Sequence, residues 1–262
     1  MSSALHGRVV VVTRPERQAG PFLQMLRAVG ATPVAFPVLI IQPVVLESGV
    51  RSRLEPDHFD WVIFASANAV EQALAQLPRP RRARLAAVGP ATARALEGHG
   101  LEVRAVPATT QDSEGLLAHP EFADVRGRRI LILRGVGGRE VLRQALLAGG
   151  AEVEVAELYR RVVATPDAGA LATLARACAH QHSIVAVTSV EVLDALLEIA
   201  PDAILATLRD AGLLVPGPRV AAAARARGWR GPLAVASSAE DAAMLEALLT
   251  LPGTGGSPVP AC

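Results

Sequence analysis

Apolar positions along this chain keep two alternating rhythms. Short unbroken runs (VVVV at 9–12, WVIF at 61–64, ILIL at 130–133, IVAV at 184–187) are each followed by a stretch whose apolar residues recur three to four positions apart. Runs of that kind predict strands buried on both faces, and the wider spacing predicts amphipathic helices. Phe22, Leu23, Leu26 and Val29 form one such helical stripe. Strand and helix alternate throughout, which predicts an α/β chain built on parallel sheets. One extended stretch, 34–41, is punctuated by Pro33, Pro37 and Pro43, so it reads as an edge strand or a connector between domains.

The pattern is played twice. Gly7, Arg8, Arg14, Leu26, Gly30 and Ala31 recur at one constant spacing as Gly127, Arg128, Arg134, Leu146, Gly150 and Ala151. Each copy reads as strand, Arg at its carboxyl end, helix, Gly-Ala stop and second strand, which is a βαβ unit. Ser66 is echoed by Ser189, Gly89-Pro90 by Gly217-Pro218, Val106 by Val235 and Asp112 by Asp241, with the spacing growing slowly as loop insertions would make it. Matches in one order imply an internal duplication.

Composition sets outer limits. A length of 262 residues with 51% hydrophobic and 19% charged residues fits about two globular domains. A net charge of +1 and 3% aromatics give no case for nucleic acid or an anionic membrane as partner. All 26 basic residues are Arg, so Schiff-base chemistry and a Walker lysine are excluded, and cationic recognition falls to guanidinium groups suited to carboxylates. Cys178 and Cys262 make no disulfide framework, and neither a secretory-length nor a membrane-spanning apolar run is present. A cytoplasmic protein is the expectation, with a disordered Pro/Gly/Ser-rich tail at 252–262.

In a parallel sheet every strand-to-helix turn lies on the carboxyl edge. Those turns here carry Arg14, Ser66, Asn68, Gly89, Thr92, Arg134, Gly138, Thr188, Ser189 and Gly217. Ser, Thr and Asn are also what helix N-caps want, and capping pairs are expected at Thr13 with Glu16, Asn68 with Glu71 and Thr188 with Glu191. Repetition of the pattern in both copies is what favours anion binding at helix N-termini over capping alone. The run LRGVGGRE at 133–140 misses GxGxxG because position 140 is Glu. Cys178-Ala-His-Gln-His182 reads as a surface linker, the remaining histidines as solvated, and Arg81, Arg82 and Arg84 as a basic loop. Tyr159, the chain's one tyrosine, either packs at an interface or hydrogen-bonds to and protonates a ligand.

Taken in order, VVTRP, FPVLII, VIFASANAV, AAVGPATARAL, GRRILILRGVGGREVL with AELYRR, VTS and GPR resemble the uroporphyrinogen-III synthase family over about residues 7–250. The resemblance implies two flavodoxin-like, doubly wound α/β domains joined by a two-stranded connector. Residues 1–37 with 165–251 would form a discontinuous domain, 45–157 the other, and 38–44 with 158–164 the connector strands. It also implies an enzyme that converts hydroxymethylbilane to uroporphyrinogen III, inverting the last pyrrole ring and losing water. No cofactor and no metal are implied, and a monomer receiving its substrate by transient hand-over from hydroxymethylbilane synthase is expected. Tyr159 matches the family's acid-assisting tyrosine, and Arg14, Ser66, Asn68, Gly89, Thr92, Arg134, Gly138, Ser189 and Gly217 match its substrate-contacting turns. Ala65 and Val220 depart from the family pattern by lacking hydroxyls. The competing reading is a two-lobed, non-catalytic anion-binding module; a nucleotide-sugar transferase would need an acidic pair that the sequence does not offer.

Overall fold

The computed structural model describes residues 5–108 and 112–251. The expected tail at 252–262 lies outside the described residues. Along the chain run β1 (Val9–Val12), α1 (Glu16–Ala28), β2 (Thr32–Ala35), β3 (Leu39–Pro43), α2 (Ser48–Arg53), β4 (Trp61–Phe64), α3 (Ala67–Gln76), β5 (Arg84–Ala87), α4 (Pro90–Gly98) and α5 (Ser113–Leu117). Then follow β6 (Arg129–Gly135), α6 (Val141–Ala148), β7 (Glu152–Val163), α7 (Ala168–Cys178), β8 (Ser183–Ala186), α8 (Val190–Ile199), α9 (Asp202–Asp210), β9 (Gly212–Val215), α10 (Pro218–Ala226), β10 (Leu233–Val235) and α11 (Asp241–Thr250).

The chain divides into two compact units. One takes the residues up to Ile40 and from Val162 onward, the other Ile41–Arg161. In the first unit a five-stranded sheet has the order β10-β9-β8-β1-β2, every pair parallel. Val10 and Val12 point to one face, where Phe22 and Leu26 of α1 and Met244 and Leu248 of α11 cover them. Val11 points to the other, onto Leu174, Leu193 and Leu213. This period-two split of a single apolar run is why the strand carries no polar residue: helices dry both faces. Pro33 sits in β2, the sheet edge, where its missing N–H breaks no ladder.

The second unit repeats the arrangement with the order β3-β7-β6-β4-β5, parallel from β7 to β5. Trp61, Ile63, Ile130 and Ile132 face α6 on one side, and Val62, Phe64, Leu131 and Leu133 face α3 and α4 on the other. The added strand β3 runs antiparallel to β7: Val44 N–H donates to the Leu158 carbonyl at 2.9 Å within this unit, and Ala164 N–H donates to the Val38 carbonyl at 2.9 Å within the other.

The capping expectations are corrected in detail. Thr13 does not cap α1; its hydroxyl, fully buried, donates to the Ala186 carbonyl at 2.7 Å and ties the end of β1 to β8. Ser66, not Asn68, caps α3, and Ser189, not Thr188, caps α8; each accepts the N–H three residues on. Ser66 (φ −166°, ψ 161°) and Ser189 (φ −161°, ψ 169°) hold the extended backbone that a cap residue takes, whereas Asn68 already lies inside α3. Cys178 is likewise no linker residue: it is buried as the last residue of α7, and burial pushes its thiol up to about 11. Arg84 belongs to β5, with its guanidinium 4.6 Å from the Trp61 ring centroid.

A loop anchor emerges in the same unit. Asp57 Oδ1 accepts the backbone N–H groups of Arg81, Arg82 and Ala83 at 2.8, 2.9 and 3.3 Å. Chiefly the Arg82 N–H holds its carboxyl below the usual aspartate range. A lowered folded pKa stabilises above the unfolded value and the contribution disappears as pH falls through the folded one. Asp57→Ala is expected to cost about 1 kcal/mol at neutral pH, a modest figure because water competes at this exposed site. Urea unfolding of both proteins should show the gap closing well below pH 3.9, roughly the ordinary aspartate value.

Candidate functional site

The carboxyl edge of the second unit gathers the chemistry. Pairing of β6 with β7 slips between Arg134 and Gly135: Arg134 faces Glu157, but Gly135 faces Tyr159. This bulge places one residue of β6 against two of β7 and re-aims the side chains beyond it. Tyr159, 3% exposed, lies against Gly135 so closely that a Cβ there would be 2.7 Å from the phenol Cζ. Only glycine lets the ring occupy that place. The Tyr159 hydroxyl is 2.9 Å from Ser66 Oγ, and Ser66 Oγ accepts the Ala69 N–H at 3.1 Å as the cap of α3.

The Gly-rich turn after β6 is folded around Arg134. Its guanidinium donates to Glu140 at 2.6 Å, Glu157 at 3.2 Å and the Arg139 carbonyl at 3.1 Å. The Arg134 contact holds the Glu140 carboxyl below the usual range. Gly137 has φ +73°, and a Cβ at Gly138 would fall 2.8 Å from Arg134 Cδ. The glycines thus answer three separate demands: a ring, a left-handed turn and an arginine side chain.

These groups enclose a cavity of about 350 Å³ lined by Ser66, Arg134, Gly135, Arg139, Tyr159 and Arg161 among others. With Arg134 engaged by Glu140 and Glu157, the guanidinium groups of Arg139 and Arg161, a phenol and a hydroxyl suit a ligand bearing carboxylates and needing a proton. A larger concavity of about 450 Å³ opens beside Trp61, Arg84, Glu121 and Arg128, at the amino ends of β4 and β5. Arg84 and Arg104 there pair with Glu121, and Arg128 with Asp60. The smaller cavity is the stronger candidate, because ligands of open α/β sheets bind outside the carboxyl ends of the strands.

Of the residues singled out in the sequence, Ser66, Arg134, Gly138 and Tyr159 line this cavity together. Asn68 is the second residue of α3, Gly89 caps α4 by its backbone alone, and Thr92 is buried inside α4; none of the three lines the cavity. In the first unit Arg14, Ser189 and Gly217 stand at the carboxyl ends of β1, β8 and β9. The Arg14 guanidinium, mostly buried, pairs with Asp241, donates to the Ala239 carbonyl at 2.8 Å and lies 5.0 Å from the Phe22 ring centroid. Arg139, Glu157 and Arg161 carry no motif that sets them apart in the sequence, and Gly135 stands out there only within the Gly-rich run 133–140. A glycine opposite a lone tyrosine was the one readable signal, and it required the strand register. Among the described residues no group of three His, Cys, Asp or Glu side chains could hold a metal ion, and no helix is long and apolar enough to cross a membrane.

Comparison with known proteins identifies the family of the chain. A family model described as Uroporphyrinogen-III synthase HemD matches residues 21–246. The chain is 35% identical over 247 residues to uroporphyrinogen-III synthase of Salmonella typhimurium, covering 91% of this chain and 99% of that one. It is 34% identical over 246 residues to the Escherichia coli K12 protein of the same name, with the same coverage of 91% and 99%. Among solved structures, a mutant uroporphyrinogen III synthase from the extremely thermophilic bacterium Thermus thermophilus superposes with TM-score 0.54 at 25% identity, covering 92% and 96% of the two chains. The Helicobacter pylori 26695 uroporphyrinogen-III synthetase shares the fold, with TM-score 0.64 at 19% identity over 94% of this chain and 100% of that one. With the family model spanning most of the chain and relatives matched nearly end to end, this chain belongs to the uroporphyrinogen-III synthase family.

Proposed function

We propose that the chain is a uroporphyrinogen-III synthase, a cyclising lyase of tetrapyrrole biosynthesis that closes hydroxymethylbilane to uroporphyrinogen III with inversion of the terminal ring. Beside the family membership, the observation that carries this reading is the Tyr159 phenol, held on Ser66 in a cavity that also presents Arg134, Arg139 and Arg161. The bilane bears acetate and propionate groups on every ring, and guanidinium groups are their natural partners.

The reaction asks for little strong catalysis. The terminal hydroxyl departs as water, taking the C–O electron pair and a proton from Tyr159, and leaves an azafulvenium cation stabilised by the pyrrole nitrogen. The substituted carbon of the distal ring attacks it to give a spiro intermediate. Fragmentation and reclosure at the free carbon invert that ring, and the proton lost from that carbon restores the phenol. Atoms balance with one water lost and no redox change, so no cofactor is called upon. Orientation of the chain ends and exclusion of water do most of the work.

The domains proposed are 1–37 with 165–251 and 45–157, linked by strands 38–44 and 158–164. Their origin by duplication of a flavodoxin-like sheet is supported by strand order. The first unit reads β2-β1-β8-β9-β10, and the sequence-equivalent strands of the second read β7-β6-β4-β5, followed by a parallel bridge from Ala86 to Ala105 where β10 would stand. Asn68, Gly89, Thr92, Ser189 and Gly217 remain proposed substrate contacts through helix N-termini, and Arg14 through its place at the end of β1. A cytoplasmic monomer receiving the bilane from hydroxymethylbilane synthase completes the proposal.

Freshly made hydroxymethylbilane given to the purified protein, followed by oxidation and chromatography, should yield type III porphyrin. Recovery of the spontaneous type I isomer alone would sink the assignment.

A further inference from the structure

The hydrogen bonds that Ser66 already makes leave little of its hydroxyl for a substrate. A serine hydroxyl has one donor proton and two acceptor lone pairs. One lone pair of Ser66 Oγ takes the Ala69 N–H at 3.1 Å, and Tyr159 Oη stands 2.9 Å away. Two arrangements are open at that contact. If Tyr159 donates to Ser66, the phenol's one proton is spent inside the protein. If Ser66 donates to Tyr159, the proton remains for the cavity that both residues line.

The helix decides between them. Ser66 caps α3, a helix of ten residues, whose amino end carries partial positive charge. That field draws oxygen lone pairs toward the helix and turns hydroxyl protons away from it. Acceptance of the Ala69 N–H also polarises Ser66 Oγ, making it a better donor and a poorer acceptor. Gly135 completes the arrangement by letting the ring sit flush against β6, since a Cβ there would be 3.0 Å from the phenol oxygen itself.

We infer that Ser66 is a positioning residue: its cap-polarised hydroxyl donates to Tyr159 Oη and so turns the phenol proton toward the cavity. The same bond holds the phenolate that remains after the proton leaves with the departing hydroxyl, until ring closure returns a proton. The inference rests on the proposed reaction for what receives the proton, but not for the orientation of the phenol.

Tyr159 is the one tyrosine of the chain, so its hydrogen-bonding state can be read without interference from the ultraviolet resonance Raman Fermi doublet. Wild type should show the doublet of an accepting phenol. Ser66→Asp caps a helix as well as serine but only accepts, so the phenol must turn and donate to it. The doublet should then change to the donor pattern and turnover fall roughly tenfold or more, a share of what a positioned acid supplies, with the melting temperature held. Ser66→Thr, which caps and donates, should recover most of the turnover that Ser66→Ala loses. In a Tyr159→Phe background Ser66→Ala should cost no further turnover, because a residue acting through another is non-additive with it. A donor doublet in wild type, full turnover in Ser66→Asp, or equal losses in both backgrounds would each overturn the inference. An accepting doublet in a protein that makes only type I product would instead overturn the reaction and leave the orientation standing.

Discussion

Tyr159→Phe will lower turnover by roughly a hundredfold while the protein melts within a few degrees of wild type. General-acid assistance is worth about 10²- to 10⁴-fold, and the lower end applies because the pyrrole nitrogen already drives loss of the hydroxyl. Phenylalanine fills the slot against Gly135 and keeps the contacts of the ring with the core of the second unit. What is removed is one hydrogen bond to Ser66, worth about 1 kcal/mol net. An interaction made only in the transition state lowers kcat and kcat/KM together and leaves KM in place. The residual product should still be type III, since ring inversion follows from how the bilane is folded and not from the acid. Steady-state kinetics beside isomer analysis checks all three statements, and undiminished turnover would strip Tyr159 of its role without touching the function.

The fold was readable because the central strands β1, β4, β6 and β8 carry unbroken apolar runs and helices such as α1 and α6 are amphipathic, and because both patterns occur twice. The run of Val10, Val11 and Val12 reads directly as a strand covered on both faces. Pro33 marked an edge. Cap positions were less readable: Asn68 and Thr188 carry good capping chemistry, but the backbone decides which residue takes the extended cap conformation, and it places Ser66 and Ser189 there. Part of the site was legible as residue types at strand ends. Tyr159, Ser66, Arg134 and Gly138 converge as expected of a carboxyl edge. The role of Gly135 was hidden because it depends on a register slip between β6 and β7, and a slip leaves no mark in residue types. Arg14 and Arg134, equivalent in the repeat, part company for a similar reason. Arg14 is fastened to Asp241, whereas Asp112, the counterpart of Asp241, caps α5 and leaves Arg134 to Glu140 and Glu157.

Gly231→Ala is expected to be among the most damaging single-methyl additions in the chain, lowering stability by about 3 kcal/mol or more. A Cβ on Gly231 would lie 1.8 Å from the Ala211 carbonyl oxygen and 2.6 Å from that of Asp210. Both obstacles are backbone, so no side-chain rotation relieves them, and overpacking of this kind costs about 1–3 kcal/mol before anything else breaks. The Ala211 carbonyl is also the acceptor of the buried Trp229 indole N–H at 2.8 Å. Moving it strands a buried donor, about 1–3 kcal/mol again. Gly231 N–H donates to the Arg209 carbonyl at 3.0 Å and Leu213 N–H to the Pro232 carbonyl at 2.8 Å, so the shift reaches the start of both β9 and β10. Gly98→Ala supplies the opposite sign. Gly98 is the last residue of α4, with nothing within 4 Å of its would-be Cβ and no positive φ, and alanine there should add about 0.5–1 kcal/mol by restricting the unfolded chain and favouring helix. At roughly 2–4 °C per kcal/mol for a chain of this size, calorimetry should find Gly231→Ala lower by about 10 °C and Gly98→Ala slightly higher. Similar melting of the two variants would mean that the backbone around Ala211 yields where it is held by Trp229, and that the strand order of β9 and β10 does not depend on that contact.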